Sequence, residues 1–105
     1  MNNIGQMMKQ AQQLQEKIQK VQKQIEEHSE QGSGGAGMIK ITLSGKNDIK
    51  ELKIDPAIVN PNEIAMLEDL IIAAYNDARN KIESYSNEQM SKVSGGLPGG
   101  LKLPF

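Results

Sequence analysis

Eight residues near the start of the chain set the strongest constraint on its fold. Ile4, Met7, Ala11, Leu14, Ile18, Val21, Ile25 and His28 follow one another at alternating intervals of three and four. This is a heptad seam at positions a and d, held for more than three heptads, and it requires an α-helix. The spacing predicts one helix over residues 3–30, about 40 Å long at a rise of ~1.5 Å per residue. Asn3 with Gln6 resembles a capping box, and Gly32 is a natural stop. The flanking e and g positions are mostly neutral, as at Met8, Gln10, Gln15, Gln22 and Gln24, so charge does little to select a partner helix.

The period then changes. From Met38 to Ser44, Ile39, Ile41 and Leu43 alternate onto one face, which predicts a strand. Gly45-Lys46-Asn47-Asp48 is turn chemistry, and residues 49–55 form a second strand with Leu52 and Ile54 facing inward. Asp55-Pro56 ends it. Asn60, Pro61 and Glu63 read as N-cap, N1 and N3 of a second helix running to about Val93. Ile64, Leu67, Ile71, Ala74, Ala78, Ile82 and Tyr85 form its stripe, widened early by Met66, Leu70 and Ala73. A wide stripe suits packing on a sheet, and its narrowing after Ala78 marks where the helix leaves that sheet. Residues 1–93 read as one domain, and residues 94–105, rich in Gly and Pro, as a flexible tail.

Composition limits the core. Hydrophobic residues are 37% of the 105 and aromatics 3%, so the core is aliphatic and small. So little core material beside two long helices predicts burial shared with a second copy, hence a dimer. The absence of Cys excludes a disulfide scaffold, a zinc ribbon and a thiol enzyme. The longest apolar run, Leu70 to Tyr75, is far short of the ~20 residues of a membrane span. No apolar secretory segment is visible near Met1, so a cytoplasmic protein is expected.

The charges are polarised although the net charge is −1. Residues 1–25 carry Lys9, Lys17, Lys20 and Lys23 against Glu16 alone. Residues 56–78 carry Glu63, Glu68, Asp69 and Asp77 and no base, and residues 26–37 carry Glu26, Glu27 and Glu30. The last segment holds Arg79, Lys81, Lys92 and Lys102 against Glu83 and Glu88. In a helix–hairpin–helix topology the start of the first helix and the end of the second lie together. The expected molecule has basic helical ends and an acidic sheet end, a footprint for a polyanion.

Other constellations carry less. Gly32-Ser33-Gly34-Gly35-Ala36-Gly37 matches G-x-G-x-x-G, but a helix precedes it and a strand follows. That order is the reverse of a dinucleotide fingerprint, so the segment reads as a helix stop with close backbone packing. His28 has no second His or Cys with which to hold a metal or act as a base, and reads as structural or solvent-facing. Glu68 and Asp69 are adjacent and diverge on a helix. No catalytic set, cofactor site or small-molecule site follows from these residues. Tyr75 and Tyr85 belong to the stripe, so base stacking is not the expected mode of nucleic-acid contact.

Several segments resemble, in order, the YbaB/EbfC family of bacterial nucleoid-associated proteins. They are Met7-Met8-Lys9-Gln10-Ala11-Gln12, the Gly-rich segment before Met38-Ile39-Lys40-Ile41-Thr42, Ile54-Asp55-Pro56, residues 66–78, and Ser94-Gly95-Gly96 with the Gly/Leu/Pro tail. The resemblance implies a two-layer α+β fold, α-β-β-β-α, with a small antiparallel sheet and long protruding helices, dimeric. It implies a third strand near residues 29–34, which the residue pattern alone does not show. It also implies binding of double-stranded DNA as a homodimer, no enzymatic activity, and residence in the nucleoid. On that reading Lys9, Lys17, Lys20, Lys23, Arg79, Lys81 and Lys92 contact phosphates, which give affinity with little sequence information. A competing reading is a coiled-coil interaction module or a prefoldin-like holdase. Its client grip needs apolar tips, and the Lys/Gln surface of the first helix argues against it.

Overall fold

A computed structural model describes residues 4–94. The chain runs α1 (Ile4–Glu27), β1 (Ser29–Gly34), β2 (Ile39–Ser44), β3 (Ile49–Ile54), a 3-10 turn (Pro56–Ile58) and α2 (Ile64–Ser94). This is the α-β-β-β-α order that the resemblance implies. The expectation of a flexible tail falls on residues 94–105; Ser94 closes α2, and residues 95–105 lie outside the described residues.

Two helix boundaries differ from expectation. α1 ends at Glu27 instead of continuing to residue 30. Its last backbone bonds run from the His28 N–H to the Gln24 and Ile25 carbonyls, and the chain then pairs as β1 with β2. α2 begins at Ile64, because Asn60 closes a separate turn. The Asn60 side chain accepts from the Asn62 N–H at 2.9 Å and its carbonyl from the Glu63 N–H at 2.9 Å. Leu67 donates to the Glu63 carbonyl, which makes Glu63 the residue that opens the helix.

The sheet is antiparallel in the order β1-β2-β3. Ile39, Ile41 and Leu43 are fully buried on its inner face. Opposite them lie Gly34, Gly32 and Glu30 of β1, and Ile54, Leu52 and Ile49 of β3, with an irregularity between Thr42 and Leu43. α2 crosses β1 and β2 and buries Ala74, Ala78 and Ile82 against them. The small residues are a steric requirement. A Cβ on Gly32 would lie 2.2 Å from the Ala78 nitrogen, and one on Gly34 would lie 2.4 Å from the Leu70 carbonyl oxygen. The Gly-rich segment is therefore the site of close backbone packing read from the sequence, and its first half is a strand.

β1 is an edge strand, and α2 covers its open edge. The Ser33 N–H donates to Asp77 Oδ2 at 3.0 Å, and Lys81 Nζ donates to the Gln31 carbonyl at 2.9 Å. Asp77 and Lys81 also pair with each other at 3.4 Å. Backbone groups that would otherwise recruit another strand are thereby occupied. The Ser33 N–H, with Lys81 adding to it, holds the Asp77 carboxyl below its ordinary value. A carboxyl so depressed contributes stability above its unfolded pKa and loses it as pH falls through the lower folded value. Melting temperature is therefore expected to drop as pH falls below about 4. Asp77→Ala should lower the melting temperature at pH 7 and flatten that acid limb, which thermal melts from pH 7 to 2.5 will show.

Candidate nucleic-acid interface

The two helices meet at His28. Its ring stacks on Tyr85 of α2, with centroids 3.6 Å apart and planes 10° from parallel. His28 Nε2 also lies 2.6 Å from Glu30 Oε2 of β1. The histidine is thus a structural joint between α1, β1 and α2, as its isolation in the sequence led us to expect. Its partner Glu30 was not foreseen, because a strand at residues 29–34 gives no periodic signal.

From this joint α1 runs back along the end of α2, antiparallel to it. Ile25 and Val93 are buried there. Val21, Ile18 and Leu14 are half-buried, and Ala11, Met7 and Ile4 are exposed. At ~1.5 Å per residue, α2 ends about 14 Å beyond Tyr85, whereas α1 reaches back about 36 Å beyond His28. α1 is therefore an arm whose first half outruns α2 by about 20 Å.

The sequence-predicted cations fall into two groups. Lys9, Lys17, Lys20 and Lys23 lie on the arm, and Lys92 lies in the last turn of α2, all exposed. Among the described residues none of these five has an ion-pair partner. At 100° per residue, Lys9, Lys20 and Lys23 fall within about 60° of one another, directly opposite the apolar seam, and Lys17 lies on their flank. Arg79 and Lys81 are placed differently from expectation. They sit beside β1, about 20 Å from the end of α2. Arg79 Nε pairs with Glu83 Oε1 at 3.1 Å, and Lys81 holds the Gln31 carbonyl. Adjacency in sequence to a helix end did not distinguish them from Lys92.

An acidic group lies at the other end of the molecule: Glu63 precedes α2, and Glu68, Asp69 and Asp77 lie in its first half over the sheet. On the outer face of the sheet Lys53 is paired with Glu51 at 3.5 Å, and Lys46 in the turn between β2 and β3 pairs with Glu26 of α1 at 4.0 Å. A shallow cleft of about 350 Å³ near the joint is lined by Glu30, Asn80, Lys81, Ser84, Tyr85 and Glu88. It brings together two carboxylates and a lysine already bonded to backbone, with no nucleophile and base in contact. Among the described residues no group of three or more His, Asp or Glu gathers as a metal site. No described helix is long and apolar enough to cross a membrane.

Comparison with known proteins agrees along the whole length. Residues 1–97 match the model of the YbaB/EbfC DNA-binding family. A nucleoid-associated protein of Paramagnetospirillum magneticum is 54% identical over 107 residues, covering 100% of both chains. Another, of Granulibacter bethesdensis, is 51% identical with the same coverage. The crystal structure of an uncharacterized protein from Helicobacter pylori superposes with a TM-score of 0.75 at 14% identity, covering 90% of this chain and 100% of that one, which shows a shared fold.

Proposed function

The chain belongs to the YbaB/EbfC DNA-binding family, and from that membership we propose that it coats double-stranded DNA in the bacterial nucleoid as a homodimer. The reading takes its DNA partner and its place in the cell from nucleoid-associated relatives that match end to end. The observation that carries the mechanism is the exposed lysine face of α1, opposite the seam and without ion pairs among the described residues. Phosphate oxygens are its natural ligands. Contacts of this kind position the protein but read no base, so any sequence preference comes from DNA shape. Lys17 on the flank of α1 and Lys92 in the last turn of α2 add to the same basic surface. Arg79 and Lys81 contribute long-range field beside β1, where their side chains already have partners.

The dimer is supported by an uncovered trough on the inner face of the sheet. Because Asp77 and Lys81 reach toward the β1 edge, the opposite flank of α2 faces β3. That flank and strand leave Ile49 57%, Leu52 46%, Ile64 47% and Ile72 57% exposed. Large apolar side chains gathered in this way mark an interface, and one face meeting its own copy is the commonest closed arrangement. Light scattering at micromolar concentration should give about twice the 11.5 kDa chain mass. A monomer would overturn this part of the reading.

The function itself is tested by fluorescence anisotropy with duplex DNA across a salt series. A dimer neutralising about 4–8 phosphates should give a slope of log K against log salt of roughly −4 to −7, nearly independent of sequence. No duplex binding even at low salt would refute it. One observation favours the holdase alternative: Ile4, Met7 and Met8 are 58–64% exposed at the arm tip. Suppression of client aggregation without duplex binding would be its signature.

A further inference from the structure

One apolar seam runs the length of α1, and α2 covers only part of it. Ile25 is buried, Val21, Ile18 and Leu14 are half-buried, and Ala11, Met7 and Ile4 are exposed, Met7 by 64% and Ile4 by 58%. We infer that the bare stretch is a contact between arms, in which α1 of a second copy lies antiparallel on Ile4, Met7, Ala11 and Leu14. Three observations select this occupant. First, the packing is already begun within the chain. α2 lies antiparallel on the same seam, burying Ile25 and Val93, and stops at Ser94. A second α1 laid antiparallel takes up the seam where α2 leaves it, in the same direction.

Second, the free length of the arm matches itself in one heptad register. That register sets Ile4 against the partner's Leu14 and Met7 against the partner's Ala11, with the reverse pairs following by symmetry. All four residues are then covered. Sliding one heptad deeper drives Ile4 onto the partner's Val21, which is already shielded by its own α2. One heptad shallower leaves only Ile4 and Met7 in contact. The end of α2 is level with about residue 19 of α1 at ~1.5 Å per residue, so the chosen register clears it. Third, sizes and charges agree. In the two central layers a Met fills the space left by Ala11, and the outer layers pair Ile with Leu. In an antiparallel pair Met8, itself 63% exposed, flanks the partner's Met8, and Gln10 flanks the partner's Gln10, so no like charges meet.

Lys9, Lys20 and Lys23 lie opposite the seam, so paired arms turn their lysine faces in opposite directions. Taken with the DNA reading above, on which this step rests, the contact bridges two duplexes. Four layers fall well short of the ~800 Å² per partner of a stable interface. The contact is therefore weak in the free protein and gains strength where copies are crowded along DNA.

Disulfide trapping tests the pairing without DNA, because the natural sequence has no Cys. Positions 7 and 11 of one helix have Cβ atoms about 5–6 Å apart, beyond the ~3.5–4.5 Å of a disulfide, so a Met7→Cys/Ala11→Cys variant bridges only between copies. Under mild oxidation at high protein concentration it should form covalent pairs many-fold faster than either single variant, since each site faces the other and not itself. Equal rates in the double and single variants, or no bridging, would overturn the pairing. Rapid bridging by Met7→Cys alone would also overturn it, as the mark of a parallel pair. The bridge has its own readout. A bead-bound duplex loaded with the full chain should capture a second, labelled duplex. Ile4→Gln/Met7→Gln alters all four layers at exposed positions, and should reduce capture several-fold while binding to a single duplex is kept. Undiminished capture by that variant would overturn the bridge. Because trapping involves no DNA, failure of the pairing and failure of the DNA reading are told apart.

Discussion

Replacing Lys9, Lys20 and Lys23 together by Gln is expected to weaken duplex binding by about 100-fold or more near 0.1 M salt, while the fold is retained. Gln has nearly the helix propensity of Lys and a similar length, so the substitution removes charge and little else. The three side chains are exposed and make no ion pair among the described residues, so no buried partner is left behind. The proposed homodimer carries six of them. Each phosphate contact contributes about 0.9 to the salt slope, so the slope should become shallower by several units, and binding should fall alike for all duplex sequences. The control is Lys40/Lys50/Lys53→Gln on the sheet. There Lys53 is held by Glu51, and the loss should be small. Loss confined to the sheet variant would move the interface to the sheet and keep the DNA-binding function.

Gly45→Ala should destabilise the protein by about 2–4 kcal/mol, through forced overpacking at a backbone contact. In a domain of this size that lowers the melting temperature by roughly 10–20 °C. The turn between β2 and β3 is where α1 is joined to the sheet. The Gly45 N–H donates to the His28 carbonyl at 2.9 Å. A Cβ at this position would coincide with the Ile25 carbonyl oxygen, and that oxygen belongs to the last turn of α1 and cannot step aside. Gly32→Ala should have a similar cost by lifting α2 off β1, because the Ala78 nitrogen and the Ala74 carbonyl oxygen occupy the space. Gly5→Ala, with nothing within 4 Å, should be neutral or slightly stabilising. Urea or thermal unfolding of the three variants checks this order. A Gly45→Ala protein that melts with the parent would show that α1 is not seated on the turn.

What was legible in the sequence followed from period and charge. The 3-4 spacing from Ile4 to His28 dictated α1, because only a helix aligns those side chains. The alternation Ile39-Ile41-Leu43 dictated β2, whose three isoleucine and leucine side chains are the largest fully buried ones. Lysines clustered at the start of α1 marked the arm as basic before any fold was known. β1 was legible only through family resemblance. Its sequence, Ser-Glu-Gln-Gly-Ser-Gly, has low strand propensity and no apolar alternation.

Two of its inward positions, Gly32 and Gly34, are glycines because the backbone of α2 lies where side chains would be, and a contact between segments so far apart in sequence leaves no local pattern. The same distance hid the roles of Asp77 and Lys81. By local sequence they are an i,i+4 surface pair, but the tertiary structure turns both onto the open edge of β1. It also separated cations that look equivalent in the sequence, leaving Lys92 exposed in the last turn of α2 and Lys81 against a carbonyl. Local sequence sets which elements form, since period and propensity act over a few residues. Only the packing of α2 across β1 and β2, with β3 left uncovered, decides which charges stay unpaired among the described residues and which apolar face stays exposed.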